Sequence, residues 1–161
     1  MTGYPYDPET SFVRDPARYA HDAFGHVGAD DLLVRPHDVC FRTIPHTGTD
    51  VSPKRKGDTS APVVSPVDGT IVKASTDPEA GLFHIIKADG RDEWWIGGHH
   101  SRFEKTSGHV DRGDIIARMG MSGGAKGVHV HWTVATSLAA ALAYIGGWVQ
   151  YRKDRSVTAW S

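Results

Sequence analysis

The sequence predicts an all-β fold, with an antiparallel sheet as its core and short helical or irregular segments at both ends. Three observations carry this prediction. Gly is frequent (18) and Pro common (9) among 161 residues, a proportion that suits strands joined by tight turns better than a helical bundle. Between Val63 and Gly120, short β-branched runs alternate with turn dipeptides, as antiparallel hairpins do. An Ala- and Leu-rich stretch of the kind that favours helix begins only at Ser137.

Residues 1–36 are polar and irregular, and are expected to form an N-terminal extension. One short helix is predicted there, with Asp15 as its cap, Pro16 at its first position, and Tyr19 and Phe24 roughly on one side. Residues 37–136 form the core. Within it Asp68-Gly69 divides Val63-Val64 from Thr70-Ile71-Val72, and Asp89-Gly90 divides the run 82–86 from Trp94-Trp95-Ile96. Asp-Gly between apolar runs signals a hairpin because both residues tolerate positive φ, so two hairpins are predicted. Ile115-Ile116-Ala117 and the alternating Val128, Val130, Trp132 and Val134 extend the sheet. Residues 137–161 then supply a C-terminal helix, interrupted at Gly146-Gly147, and a basic, polar tail.

The bulk numbers narrow the function classes. The length fits one ordinary domain. A net charge of -1 and a pI near 6.8 give no reason to expect nucleic acid or an anionic membrane as a partner. The longest apolar run, 138–149, is broken by Gly146 and Gly147 and falls well short of the roughly 20 residues that cross a bilayer. A soluble protein is expected. Its first ten residues lack a basic stretch followed by an apolar one, so no secretory signal is read there. Cys40 is the single cysteine, which excludes an intramolecular disulfide. Histidine, at 10, is the unusual component.

Two of those histidines form His129-Val130-His131 in a predicted strand, whose period of two points both imidazoles to one face, roughly 7 Å apart. One metal could recruit either or both; alone, the pair equally fits half-exposed partners of nearby polar groups. Neither Glu nor His occurs after His131, so further ligands must come from upstream. That argues against a cupin-like site, which needs a following glutamate, and against an α-carbonic-anhydrase-like site, which needs a third histidine further on. Upstream, His46-Thr47-Gly48-Thr49-Asp50 offers a nitrogen and a carboxylate oxygen around a flexible turn, both acceptable to zinc. In isolation such a pentapeptide can simply shape a surface loop. Taken together, two His and one Asp make three protein ligands and leave a fourth position for water, which is a catalytic rather than a structural zinc site.

The order of these motifs resembles the lysostaphin and LytM metalloendopeptidases: H-x-G-x-D, a mid-domain histidine, then a glycine-rich stretch ending in H-x-H. Residues 57–74 (GDTSAPVVSPVDGTIVKA) resemble the family's Pro-Val and D-G-x-V segment. Gly108-His109-Val110, Arg112-Gly113-Asp114-Ile115-Ile116 and Gly120-Met121-Ser122-Gly123 resemble the run that leads into H-x-H. The likeness spans about residues 42–135. It implies a sheet that forms a substrate groove with zinc at its floor, His46, Asp50 and His131 as Zn2+ ligands, and His129 as general base. It also implies hydrolysis of amide bonds in the stem peptides or cross-bridges of bacterial peptidoglycan. A non-catalytic wall-binding or activator module is the rival reading within the same fold, but such modules lose ligands and this chain keeps each ligand position.

His99 is assigned as the second catalytic histidine, donating to the oxyanion, because its separation from Gly108 resembles the family's. His100 is its adjacent alternative and, on a strand, would face the other way. Gly97 stands where the family commonly has tyrosine, with Trp94 or Trp95 as candidate substitutes, and Val128-His129-Val130-His131 replaces Pro-His-Leu-His. His21, His26, His37, His84 and His109 lack a partner at ligand spacing and are read as surface or packing residues, with His84 expected to face solvent. Cys40 is read as a small buried apolar residue rather than a metal-blocking thiolate, and Arg42 and Lys126 as solvated charges. By analogy with compact lytic domains, the expected setting is a bacteriophage endolysin or virion-associated lysin, held in the host cytoplasm until lysis or carried in the virion.

Overall fold

Val, Ile, Phe and Trp fit best on a pleated, half-buried surface, and the chain places most of them in strands. The computed structural model describes residues 10–13 and 49–146. These comprise β1 (Ser11–Val13), β2 (Thr49–Pro53), β3 (Pro62–Val64), β4 (Gly69–Asp77), β5 (Gly81–Ala88), β6 (Trp94–Phe103), β7 (Gly108–Val110), β8 (Ile115–Met119), β9 (Val130–Ala135) and a single helix, α1 (Leu138–Gly146). The predicted helix around Asp15, together with His46, Cys40, Arg42, His21, His26 and His37, lies outside the described residues. All strand pairs are antiparallel, in the order β1-β2-β9-β6-β5-β4-β7, with β8 pairing both β6 and β3. The sheet-forming prediction is thus met by a mostly antiparallel sheet with one short helix.

Of the two predicted hairpins, one forms. β5 and β6 pair across the Asp89-Gly90 segment, where Gly90 takes φ 68° and Ala88 N donates to Glu93 O at 2.9 Å. The Asp68-Gly69 hairpin is corrected: β3 does not pair with β4 but with β8, joined there by hydrogen bonds from Ser65 N to Asp114 O (2.8 Å) and from Gly113 N to Ser65 O (2.9 Å). Instead β4 turns back onto β5, where the Asp77 carboxylate accepts from Glu79 N (2.9 Å) and Ala80 N (3.0 Å). The N-terminal extension is not wholly irregular either, since Ser11–Val13 adds a strand to β2.

One core runs through the sheet, built on Val51, Phe83, Ile85, Ile86, Trp95, Ile116, Met119, Trp132 and Val134. Residues 83–86 are buried on both strand faces, which is why their sequence is a continuous run rather than an alternation. His84 is therefore corrected from a solvent-facing position: it is fully buried, packed edge-on to Phe103 at 4.9 Å. Its Nε2 donates to Lys105 O at 2.7 Å, and its Nδ1 lies 3.1 Å from His100 Nε2.

Strand β6 decides the geometry of everything near its middle. Residues Trp94 to Gly98 pair with β9, while His100 to Phe103 pair with β8. The change of partner falls at His99, a non-glycine residue at φ 68°. There β8 and β9 leave β6 on separate paths, meeting again only at the isolated bridge between Gly120 and His129.

Candidate active site

Antiparallel pairing closes the long sequence gap between the predicted carboxylate and imidazole ligands. Asp50 on β2 is directly opposite His131 on β9, and cross-strand neighbours of this kind hold their side chains within contact range. Asp50 Oδ1 lies 3.2 Å from His131 Nδ1 and 3.6 Å from His129 Nε2. The strand period places His129 and His131 on the same side. All three side chains are largely buried, so the carboxylate is held in a pocket of imidazoles rather than in bulk water.

His99 joins them from β6. Its ring centre lies 4.9 Å from that of His129 and 6.1 Å from that of His131. His100, one residue on, is fully buried in the opposite direction against His84 and Phe103. Burial, and then the neighbouring His84 and His99, hold the His100 imidazole well below the ordinary histidine range. Of the adjacent pair, only His99 has its ring at the site.

The tautomers follow from what each ring touches. A carbonyl oxygen can only accept, so His99 Nδ1 donates to Ser122 O (2.8 Å) and His129 Nδ1 donates to Gly127 O (2.8 Å). When neutral, both rings then have Nε2 as their acceptor nitrogen. His131 differs: its Nε2 is taken by the Tyr144 hydroxyl at 3.1 Å, and its Nδ1 faces Asp50. Ser122 ties this corner together, because its hydroxyl donates to His100 O (2.6 Å) and accepts from Leu82 N (3.0 Å), while its carbonyl holds His99.

The predicted substitutes for the family's tyrosine, Trp94 and Trp95, do not occupy the place beside Gly97. Trp132 does. A Cβ on Gly97 would stand 2.7 Å from the Trp132 ring, which crosses from the paired position on β9. Trp95 packs in the core, edge-on to Trp132 at 6.3 Å, and Trp94 lies under the Lys87 ammonium. His109 is at the surface, where its ion pair with Asp89 raises it above the ordinary histidine range.

Two of the predicted zinc ligands, Asp50 and His131, are within the described residues, and the third, His46, is outside them. Accordingly, among the described residues no group of three or more His, Cys, Asp or Glu side chains is placed to hold a metal ion. The pair still permits a test of fit. Zinc bonds to nitrogen and oxygen of about 2.0–2.1 Å at tetrahedral angles set neighbouring ligand atoms about 3.3 Å apart. The observed separation of Asp50 Oδ1 and His131 Nδ1 is 3.2 Å. An oxygen and a nitrogen at that spacing, with a histidine alongside, suit zinc as a donor set.

Comparison with known proteins converges on one family. The profile of peptidase family M23 matches residues 44–153. An uncharacterized metalloprotease of Haemophilus influenzae is 30% identical over 117 residues, which cover 72% of this chain and 24% of that protein. The chain thus spans about a quarter of the length of that relative. Among solved structures, a zinc-containing peptidase from Vibrio cholerae superposes with a TM-score of 0.57 at 25% identity, covering 84% of this chain and 37% of that one. The catalytic domain of the prophage-encoded M23 protein EnpA from Enterococcus faecalis gives 0.52 at 26% identity, with 71% and 84% covered. The catalytic domain of lysostaphin from Staphylococcus simulans shares the fold, with a TM-score of 0.51 at 22% identity, covering 56% and 67%.

Proposed function

This chain belongs to peptidase family M23, a family of zinc metalloendopeptidases, and from that premise we propose that it hydrolyses amide bonds in the stem peptides or cross-bridges of bacterial peptidoglycan. The observation that carries the reading is the convergence of Asp50 and His131, 3.2 Å apart, with His129 and His99 beside them. In this reading Asp50 and His131 would hold Zn2+ together with His46, which is assigned from the sequence motif. When bound, zinc supplies a Lewis acid and lowers the pKa of the attacking water to about 7.

The chain's own side chains do the proton chemistry. His129, its Nδ1 hydrogen committed to Gly127 O, offers Nε2 as the base that takes the proton of the attacking water. The nearer Asp50 carboxylate oxygen lies 3.6 Å from that nitrogen. The same proton then serves the leaving amine. His99 holds its Nδ1 hydrogen against Ser122 O, so it can donate from Nε2 only as imidazolium. In that form it provides a positive donor for the oxygen that gains charge in the transition state.

The reading extends to a lysin of phage origin, acting on the wall from the host cytoplasm at lysis or from the virion. The likeness to the prophage-encoded EnpA domain supports this setting. The decisive experiment is digestion of purified walls followed by mass spectrometry of the soluble fragments. Fragment release should stop when EDTA removes the metal and return with added zinc; release that persists in EDTA would overturn the mechanism. The masses of the new termini identify the bond cut, and intact walls left undigested beside hydrolysis of a small amide would overturn the substrate.

A further inference from the structure

Helix α1 does more than close the chain's described part. Ser137 caps it, its hydroxyl accepting from Ala140 N (3.0 Å) and its carbonyl from Ala141 N (3.0 Å). The short connection from β9 folds the helix back against β6 and β9. Ala141 and Tyr144, three residues apart and hence on one side, are buried, while Leu138 and Leu142 are exposed. This brings the Tyr144 hydroxyl to 3.1 Å from His131 Nε2.

Strand pairing alone cannot orient an imidazole. The register sets the His131 backbone opposite Asp50, but the terminal torsion of histidine is broad and roughly two-fold. Turning the ring over would exchange Nδ1 for a carbon at the Asp50 face and remove Nε2 from Tyr144. Which imidazole nitrogen meets a cation is set by the hydrogen bond the other one makes. We infer that Tyr144 is a positioning residue: by holding Nε2 of His131 it keeps Nδ1 facing Asp50 and thereby sets the affinity of the centre for zinc. The inference rests on the zinc reading above.

The test compares the full chain with its Tyr144→Phe variant, which keeps the packed ring and removes the hydroxyl. Zinc dissociation constants are measured at one fixed pH by competition with a chromophoric chelator, and the His131 ring is followed by long-range proton–nitrogen spectra of the zinc-loaded protein. Tyr144→Phe should bind zinc about 10- to 100-fold more weakly, and the Nε2 hydrogen of His131, protected in the parent, should be lost to solvent exchange. Equal dissociation constants, or equal protection, would overturn the inference while leaving the zinc reading intact. A parent protein that takes up no zinc would overturn both. Should the variant not fold, the parent's spectrum decides: metal on Nδ1 with a protected Nε2 hydrogen supports the inference, and metal on Nε2 overturns it.

Discussion

Two histidines of the site are aimed by their own backbone surroundings. His99 and His129 each donate the Nδ1 hydrogen to a carbonyl, which makes Nε2 the acceptor nitrogen of the neutral ring. For His99 this aim requires φ 68°, a left-handed conformation that costs a non-glycine residue about 1–2 kcal/mol. Such strain persists where surrounding contacts over-determine it, and here the backbone bond from His99 N to Ala80 O (2.7 Å) and the Ser122 contacts do so. His129 is not needed to hold the metal in this scheme. His129→Ala should therefore lower kcat by about 100- to 10,000-fold with zinc content unchanged; loss of zinc from the purified variant would mean that His129 and His131 have exchanged roles.

The element that organises the site is β6. Its two halves pair with different strands, and the gap between those strands is where the histidines gather. Gly97 and Gly98 precede the kink, and Gly97 is glycine because the Trp132 ring occupies the place of a side chain. Gly97→Ala should press the strand against that indole and cost about 1–3 kcal/mol, read as a lower Tm with the same folded spectrum. An unchanged Tm would show that Trp132 simply moves aside. Helix α1 belongs at this scale too, since a residue beyond the expected core boundary at 136 reaches a predicted ligand.

For the molecule as a whole, the buried His84–His100 pair ties stability to pH. His84 Nε2 donates to Lys105 O, so His100 Nε2 must donate to His84 Nδ1, which leaves His100 Nδ1 buried without a partner. Burial lowers both pKa values from 6.5, with the Lys105 bond partly opposing the shift at His84. The unfolded chain consequently binds more protons below pH 6.5, and stability falls as pH drops from there toward the depressed folded values. Each of the two imidazoles that is protonated in the unfolded chain and neutral in the fold adds at most about 1.4 kcal/mol per pH unit to the slope. The exposed carboxylates with lowered pKa, Asp58, Glu104 and Asp114, act only at lower pH. His109, raised, has the opposite sign but is fully exposed and screened. Denaturant unfolding between pH 7 and 5, with chelator throughout, checks this: replacing both histidines by leucine should flatten the slope, and an unchanged slope would place the effect elsewhere.

By itself, the sequence determined the β class, the Asp89-Gly90 hairpin, the helix after Ser137, and the residue types from which a zinc site can be assembled. These are local properties, set by side-chain chemistry and by periods of two or 3.6 residues. Only the tertiary structure decided that β3 pairs with β8, that His84 is covered on its second face, that His99 rather than His100 points at His129 and His131, that Trp132 fills the space over Gly97, and that Tyr144 reaches His131. Each of those depends on which distant segment lies alongside, and a strand's alternation specifies two faces without specifying what covers either one.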